Sequence, residues 1–190
     1  MRYCSIDIET TGLDYSYCQM IEFGVVLDEL PAKKSIEELP TFHCYILRDK
    51  YIGEPYALSM HAEIFRRIAE RTPGYNYYDR ETGYYYLKEF LFEHKYIGPT
   101  NSITVAGKNF HSFDFRFLEN DGWAVDRIFG RRSLDPAQLY LDLNNDDKLP
   151  NLQECLNRIG IKKTVSHTAI EDALDVVRLM RDYYAPKYKE

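Results

Sequence analysis

The sequence predicts an α/β fold in which helices layer onto a sheet, and three observations carry that prediction. Tyr3 to Ile8, Met20 to Leu27 and Thr41 to Leu47 read as three successive strands, rich in β-branched and aromatic residues. A short apolar strand, Ile103 to Ala106, turns through Gly107 to Ser112 into a helix carrying Phe113, Asp114, Phe117 and Leu118. Two more helices follow, each with a cap signal and a Glu three places on: Asn151 with Glu154, and Thr168 with Glu171.

In order, the first strand ends at the turn Thr10-Thr11-Gly12. Alternate strand residues share a face, so Asp7 and Glu9 point the same way at its C-terminal end. Two carboxylates so placed repel each other unless a cation intervenes, and Mg²⁺ suits them because it takes oxygen ligands together with substrate phosphates. Alone, such a pair is more often a solvated loop entrance. The second and third strands, joined across a polar stretch from Glu29 to Pro40, form an antiparallel meander. Tyr51 to Met60 reads as loop, and His61 to Arg71 as a helix stopped by Thr72-Pro73-Gly74. Tyr75 to Gly83 is a polar, aromatic excursion. Tyr84 to Tyr96 is helical, with Leu87, Phe90, Leu91 and His94 on one side. Asp114 falls in the first turn of its helix beside a strand end, where sites in layered α/β folds are commonly assembled. Ser133 to Leu134 is a last short strand, Pro136 to Leu141 a short helix, and Asn144 to Leu149 an acidic loop. Gly160 ends the Asn151 helix. In the final helix the apolar positions are Ala173, Val176, Val177 and Met180, and with Thr168 as its cap His167 lies on the preceding loop while Asp172 is inside the helix. An Asp so anchored can be a fixed ligand and the His a movable base.

The 190 residues fit one domain, 1–190, with no linker-like run dividing it. With 45% hydrophobic and 28% charged residues and no apolar run of membrane-spanning length, a soluble protein is expected, without a membrane partner. The first strand has no basic and apolar leader ahead of it, and Cys4, Cys18, Cys44 and Cys155 lack paired metal spacing. A cytoplasmic protein with reduced thiols is the expectation. A net charge of −6 argues against a broad basic surface for long duplexes. An acidic site can still hold phosphates through metal ions, and the 17 tyrosines offer stacking surfaces, although most will be structural.

Three motifs in order carry a family resemblance. Asp7-Ile8-Glu9-Thr10-Thr11-Gly12, Asn109 with Phe113-Asp114, and His167-Thr168-Ala169-Ile170-Glu171-Asp172-Ala173 resemble the exonuclease motifs of the DEDDh 3′–5′ exonucleases, which include proofreading subunits, ribonuclease T and oligoribonuclease. The resemblance implies a ribonuclease H-like fold with a mixed five-stranded sheet flanked by helices. It implies that Asp7, Glu9, Asp114 and Asp172 bind two divalent ions, Mg²⁺ or Mn²⁺, and that His167 is the general base. Thr10, Thr11, Gly12 and Leu13 would cradle the terminal nucleotide at single-stranded 3′ ends, with Leu13 wedged against its base. The sequence departs from the pattern twice. Asn109 lies five residues before Asp114, after Lys108, where the family often has His-Asn four before. His61, which the resemblance implies contacts the terminal sugar or base, is followed by Ala62 and Glu63 where a His-Gly-Ile segment is common.

Two other classes compete. Asp7-Ile8-Glu9-Thr10-Thr11 also resembles the nucleophile loop of haloacid dehalogenase-like phosphatases, with Asp7 as nucleophile, although Glu9 and the lack of a later Gly-Asp-x-x-x-Asp disagree. A non-catalytic module that binds nucleic acid or protein on the same fold is the other, and the presence of all five signature residues speaks against it. DNA or RNA preference, substrate length, pathway and oligomeric state, a homodimer included, stay open.

Overall fold

The computed structural model describes residues 1–98, 102–163 and 167–188. Among them, six strands form one mixed sheet: β1 (Arg2–Thr10), β2 (Met20–Glu29), β3 (Thr41–Ile46), β4 (Tyr77–Tyr78), β5 (Ile103–Ala106) and β6 (Phe129–Leu134), in the order β4-β3-β2-β1-β5-β6. The helices are α1 (Pro55–Met60), α2 (Ala62–Glu70), α3 (Arg80–Glu93), α4 (Asp114–Asn120), α5 (Pro136–Leu139), α6 (Leu152–Arg158) and α7 (Ala169–Tyr184). β1, β2 and β3 form the expected antiparallel meander, and β5 and β6 add in parallel on the other side of β1.

The sheet has six strands where five were expected. The extra strand is the two-residue edge β4, paired in parallel with β3 through Tyr45–Tyr77 and Ile46–Tyr78 inside the stretch read as an excursion. Its tyrosines have neighbours within the fold: Tyr77 lies against Tyr45, and Tyr78 stacks on Tyr86 at 4.7 Å between centroids. The segment read as loop before His61 contains α1, so His61 joins two helices rather than opening one. α3 begins at Arg80, earlier than read, because Asp79 caps it by accepting from the Thr82 amide at 2.8 Å.

The alternation of β1 divides its side chains between two cores. Cys4, Ile6 and Ile8 face a large cluster with Phe23, Leu87, Leu91, Phe117 and Trp123. Tyr3 faces the other way, into the cluster of Ala173, Val176, Val177 and Met180 beneath α7. Residues Ser5, Asp7 and Glu9 continue the Tyr3 face towards the start of α7, so β1 runs into the site and α7 runs away from it. Gly24 pairs with Asp7 across β1 and β2, and a Cβ on it would lie 2.6 Å from the Ala169 carbonyl carbon and 2.7 Å from the Ile170 nitrogen. The first turn of α7 therefore rests directly on bare backbone.

Candidate active site

Asp7 and Glu9 are brought to the end of β1 by the strand pleat, and a register break between Glu9 and Thr10 ends the regular pairing there. Past it, the Thr10–Gly12 turn is tied inward. The Thr10 hydroxyl donates to the Gly12 carbonyl at 2.7 Å, the Thr11 hydroxyl to the Ile52 carbonyl at 2.6 Å, and the Gln19 amide donates to the Thr11 oxygen at 2.8 Å. Gly53 permits this approach, since a Cβ there would lie 2.3 Å from Thr11. Thr10 and Thr11 are thus buried with their hydroxyls engaged, whereas Leu13 is 76% exposed beside them.

Asp114 is the first residue of α4 and is buried. Asn109, five residues earlier, has a left-handed backbone (φ 57°), donates its amide to Asp135 at 3.0 Å and accepts from the amides of Ser112 and Phe113. Asp172 is buried in the first turns of α7, whose N-cap is Thr168 as the sequence predicts. His167 sits exposed on the loop before it, with φ 51°.

These elements converge. Asp7, Asp114, Asp172, His167, Lys108, Asn109 and the start of α6 line one cavity of about 620 Å³. Glu9, His167 and Asp172 each present a ligand atom, all within 4.8 Å of one another. The His61 imidazole is buried against Glu9, Nε2 lying 3.3 Å from Glu9 Oε2.

The electrostatics follow from crowding. Burial pushes the Glu9 carboxyl up to about 9, with Glu22, Asp172 and Asp114 adding to the rise. Burial raises Asp114 to about 7 against the pull of backbone hydrogen bonds from its own amide and that of Ile8. Asp7 rises well above the usual carboxylate range, first through burial and then through Asp114, Glu9, Asp172 and Glu22. Burial lowers His61, Glu22 opposes that shift and His167 adds to it. Carboxylates forced together in this way, with an imidazole at their edge, fit a hard divalent cation, which takes oxygen ligands and relieves the repulsion that raises their pKa values.

No protein-family model and no curated protein matches the sequence. Solved structures do match the fold. Cell-death related nuclease 4 (CRN-4) superposes with a TM-score of 0.67 at 12% identity, covering 98% of this chain and 64% of that one. E. coli exonuclease I in complex with a dT13 oligonucleotide gives 0.65 at 14% identity, and another exonuclease I structure, whose description addresses how processivity is achieved, gives 0.67 at 13%. The fold is the one these nucleases share. The chain spans just under two thirds of the length of CRN-4 and about two fifths of exonuclease I. Among the described residues no helix is long and apolar enough to cross a membrane.

Glu22 escaped the sequence reading, although a signal was there: one carboxylate inside the apolar run Met20-Ile21-Glu22-Phe23-Gly24-Val25-Val26. Asn151 and Gln153 in the cavity wall had no such signal, because their capping context already explained the first and nothing marked the second.

Proposed function

We propose that the chain is a metal-dependent 3′–5′ exonuclease that hydrolyses phosphodiester bonds at single-stranded DNA or RNA ends and releases nucleoside 5′-monophosphates. The observation that carries this reading is the convergence of Asp7, Glu9, Asp114, Asp172 and His167 on one site in a fold shared with exonucleases. Two ions, Mg²⁺ or Mn²⁺, held by the four carboxylates would supply Lewis-acid stabilisation of an in-line displacement at phosphorus.

The residues of the chain divide the remaining work. His167, on a loop and open to solvent, takes the proton of the attacking water at an imidazole nitrogen. Asp172, fixed on α7, and Asp7, fixed by the sheet, hold the geometry against which that transfer occurs. Leu13 stands exposed at the end of the tied turn and separates the terminal base from its neighbour. The phosphatase alternative loses ground to the shared fold, and the binding-module alternative to the intact constellation.

Digestion of matched 5′-labelled single-stranded DNA and RNA in Mg²⁺ or Mn²⁺ tests the proposal. A ladder shortening from the 3′ end with 5′-monophosphate products is expected. Intact substrate with both metals and both sugars would remove it.

A further inference from the structure

Glu22 lies directly across from Glu9 in the antiparallel β1–β2 register, and cross-strand like charges are destabilising. It is 1% exposed. One carboxylate oxygen, Oε1, lies 2.6 Å from His43 Nε2, while Oε2 is buried with no hydrogen-bond partner. Burying a carboxylate with an unsatisfied oxygen costs stability, and an apolar residue of similar size would avoid that cost in this otherwise apolar strand. Glu9, its cross-strand neighbour, in turn lies 3.3 Å from the His61 imidazole.

We propose that Glu22 is a positioning residue for metal binding: a buried negative charge, anchored by His43 and standing behind Glu9, that strengthens the hold of the carboxylate site on divalent ions. This rests on the metal-dependent reading of the site above. The same charge works in opposite directions in the two states of the protein. Without ions it adds to the repulsion on Glu9, and with ions it adds to their attraction. A residue serving only to pack the strand would affect both states alike.

Melting curves of the full chain with and without Mn²⁺, together with calorimetric Mn²⁺ titration, separate these cases. Glu22→Gln keeps the shape and removes the charge. It is expected to melt higher than wild type without metal, to bind Mn²⁺ about tenfold more weakly, as loss of a group supporting a ligand typically does, and to keep its KM for single strands at saturating Mn²⁺. Glu22→Asp keeps the charge and should retain most of the affinity. Wild-type affinity in Glu22→Gln, a lower melting temperature or lost fold in that variant without metal, or an equal loss in Glu22→Asp would each overturn the assignment. A wild-type chain indifferent to Mn²⁺ would overturn the metal-dependent reading itself, which the variants alone cannot do.

Discussion

The buried imidazole of His61 packs against the Glu9 carboxyl, Nε2 lying 3.3 Å from Oε2 with only 3% of the residue exposed. Burial lowers its pKa, so at neutral pH it is a neutral partner to the carboxyl rather than a counter-charge. His61→Ala should cost about 1–3 kcal/mol of stability, the usual consequence of leaving a buried polar group without its partner. It should lower kcat more than it raises KM. Denaturant melts and steady-state kinetics check both; a rise in KM alone would return His61 to direct substrate contact.

The raised carboxyls make the ion-free protein pH-sensitive in a defined direction. Between the unfolded carboxylate range near pH 4 and the folded values of about 7 for Asp114 and about 9 for Glu9, the folded state holds more protons than the unfolded one. Stability conferred by those protons is present below this window and is lost as pH rises through it. Melting temperature without metal should therefore fall from pH 5 to pH 9. Saturating Mg²⁺ or Mn²⁺ should flatten the slope and raise stability at pH 8, by about 2.7 kcal/mol at a hundredfold excess over Kd. Asp7→Asn and Asp114→Asn should blunt the metal response.

Leu13 projects beyond the tied Thr10–Gly12 turn, which makes it separable from the fold. Leu13→Ala should slow turnover and leave metal affinity intact. Wild type should cut single strands faster than blunt duplexes, because a paired end adds the cost of unpairing. Equal rates on both forms, with Leu13→Ala silent, would take the wedge out of the mechanism.

His167 and Asp172 should fail differently. His167→Ala is expected to bind Mn²⁺ and single-stranded substrate nearly as wild type while losing about 10²–10⁴-fold in rate, the usual contribution of proton transfer. Asp172→Asn should lose metal affinity as well. Single-turnover rates and Mn²⁺ calorimetry distinguish them, and a wild-type rate in His167→Ala would make that residue a bystander.

Lys108 lines the same cavity as Asp7, Asp114 and Asp172. A cation there is suited to a substrate phosphate. Lys108→Met should raise KM with kcat nearly unchanged and should reduce the salt dependence of single-strand binding by about 0.7 in the log–log slope, one contact's worth. An unchanged slope would show that Lys108 meets no phosphate.

Much of this arrangement was legible where local chemistry and tertiary packing agree. The Asn151 cap was readable because its box closes in the structure, with Asn151 accepting from the Glu154 amide at 2.9 Å and Glu154 accepting from the Asn151 amide at 2.6 Å. β1 and β2 were readable from composition, and three motifs named residues that the fold brings together. α1 was not, because Ala57 is its only buried residue and no apolar stripe marks it. β4 is two residues long, below any periodicity. The start of β6 was missed since Arg131 and Arg132 are exposed in its middle. Burial of Glu22 and of His61 against Glu9 depends on strand register and a helix junction, which spacing alone does not encode.

Gly24 makes the thickness of the molecule and the width of its reactive site one quantity. With a hydrogen where other residues carry a methyl, β2 lets the first turn of α7 settle onto it opposite Asp7, and Asp172 follows three residues after Ala169. Drift at position 24 cannot be absorbed locally, because even alanine would have to lift the helix, an overpacking cost of about 1–3 kcal/mol. Lifting the helix would also part the carboxylates. A lineage built on this scaffold is therefore free to vary its rim while the separation between its first and third motifs stays pinned by a side chain that is not there.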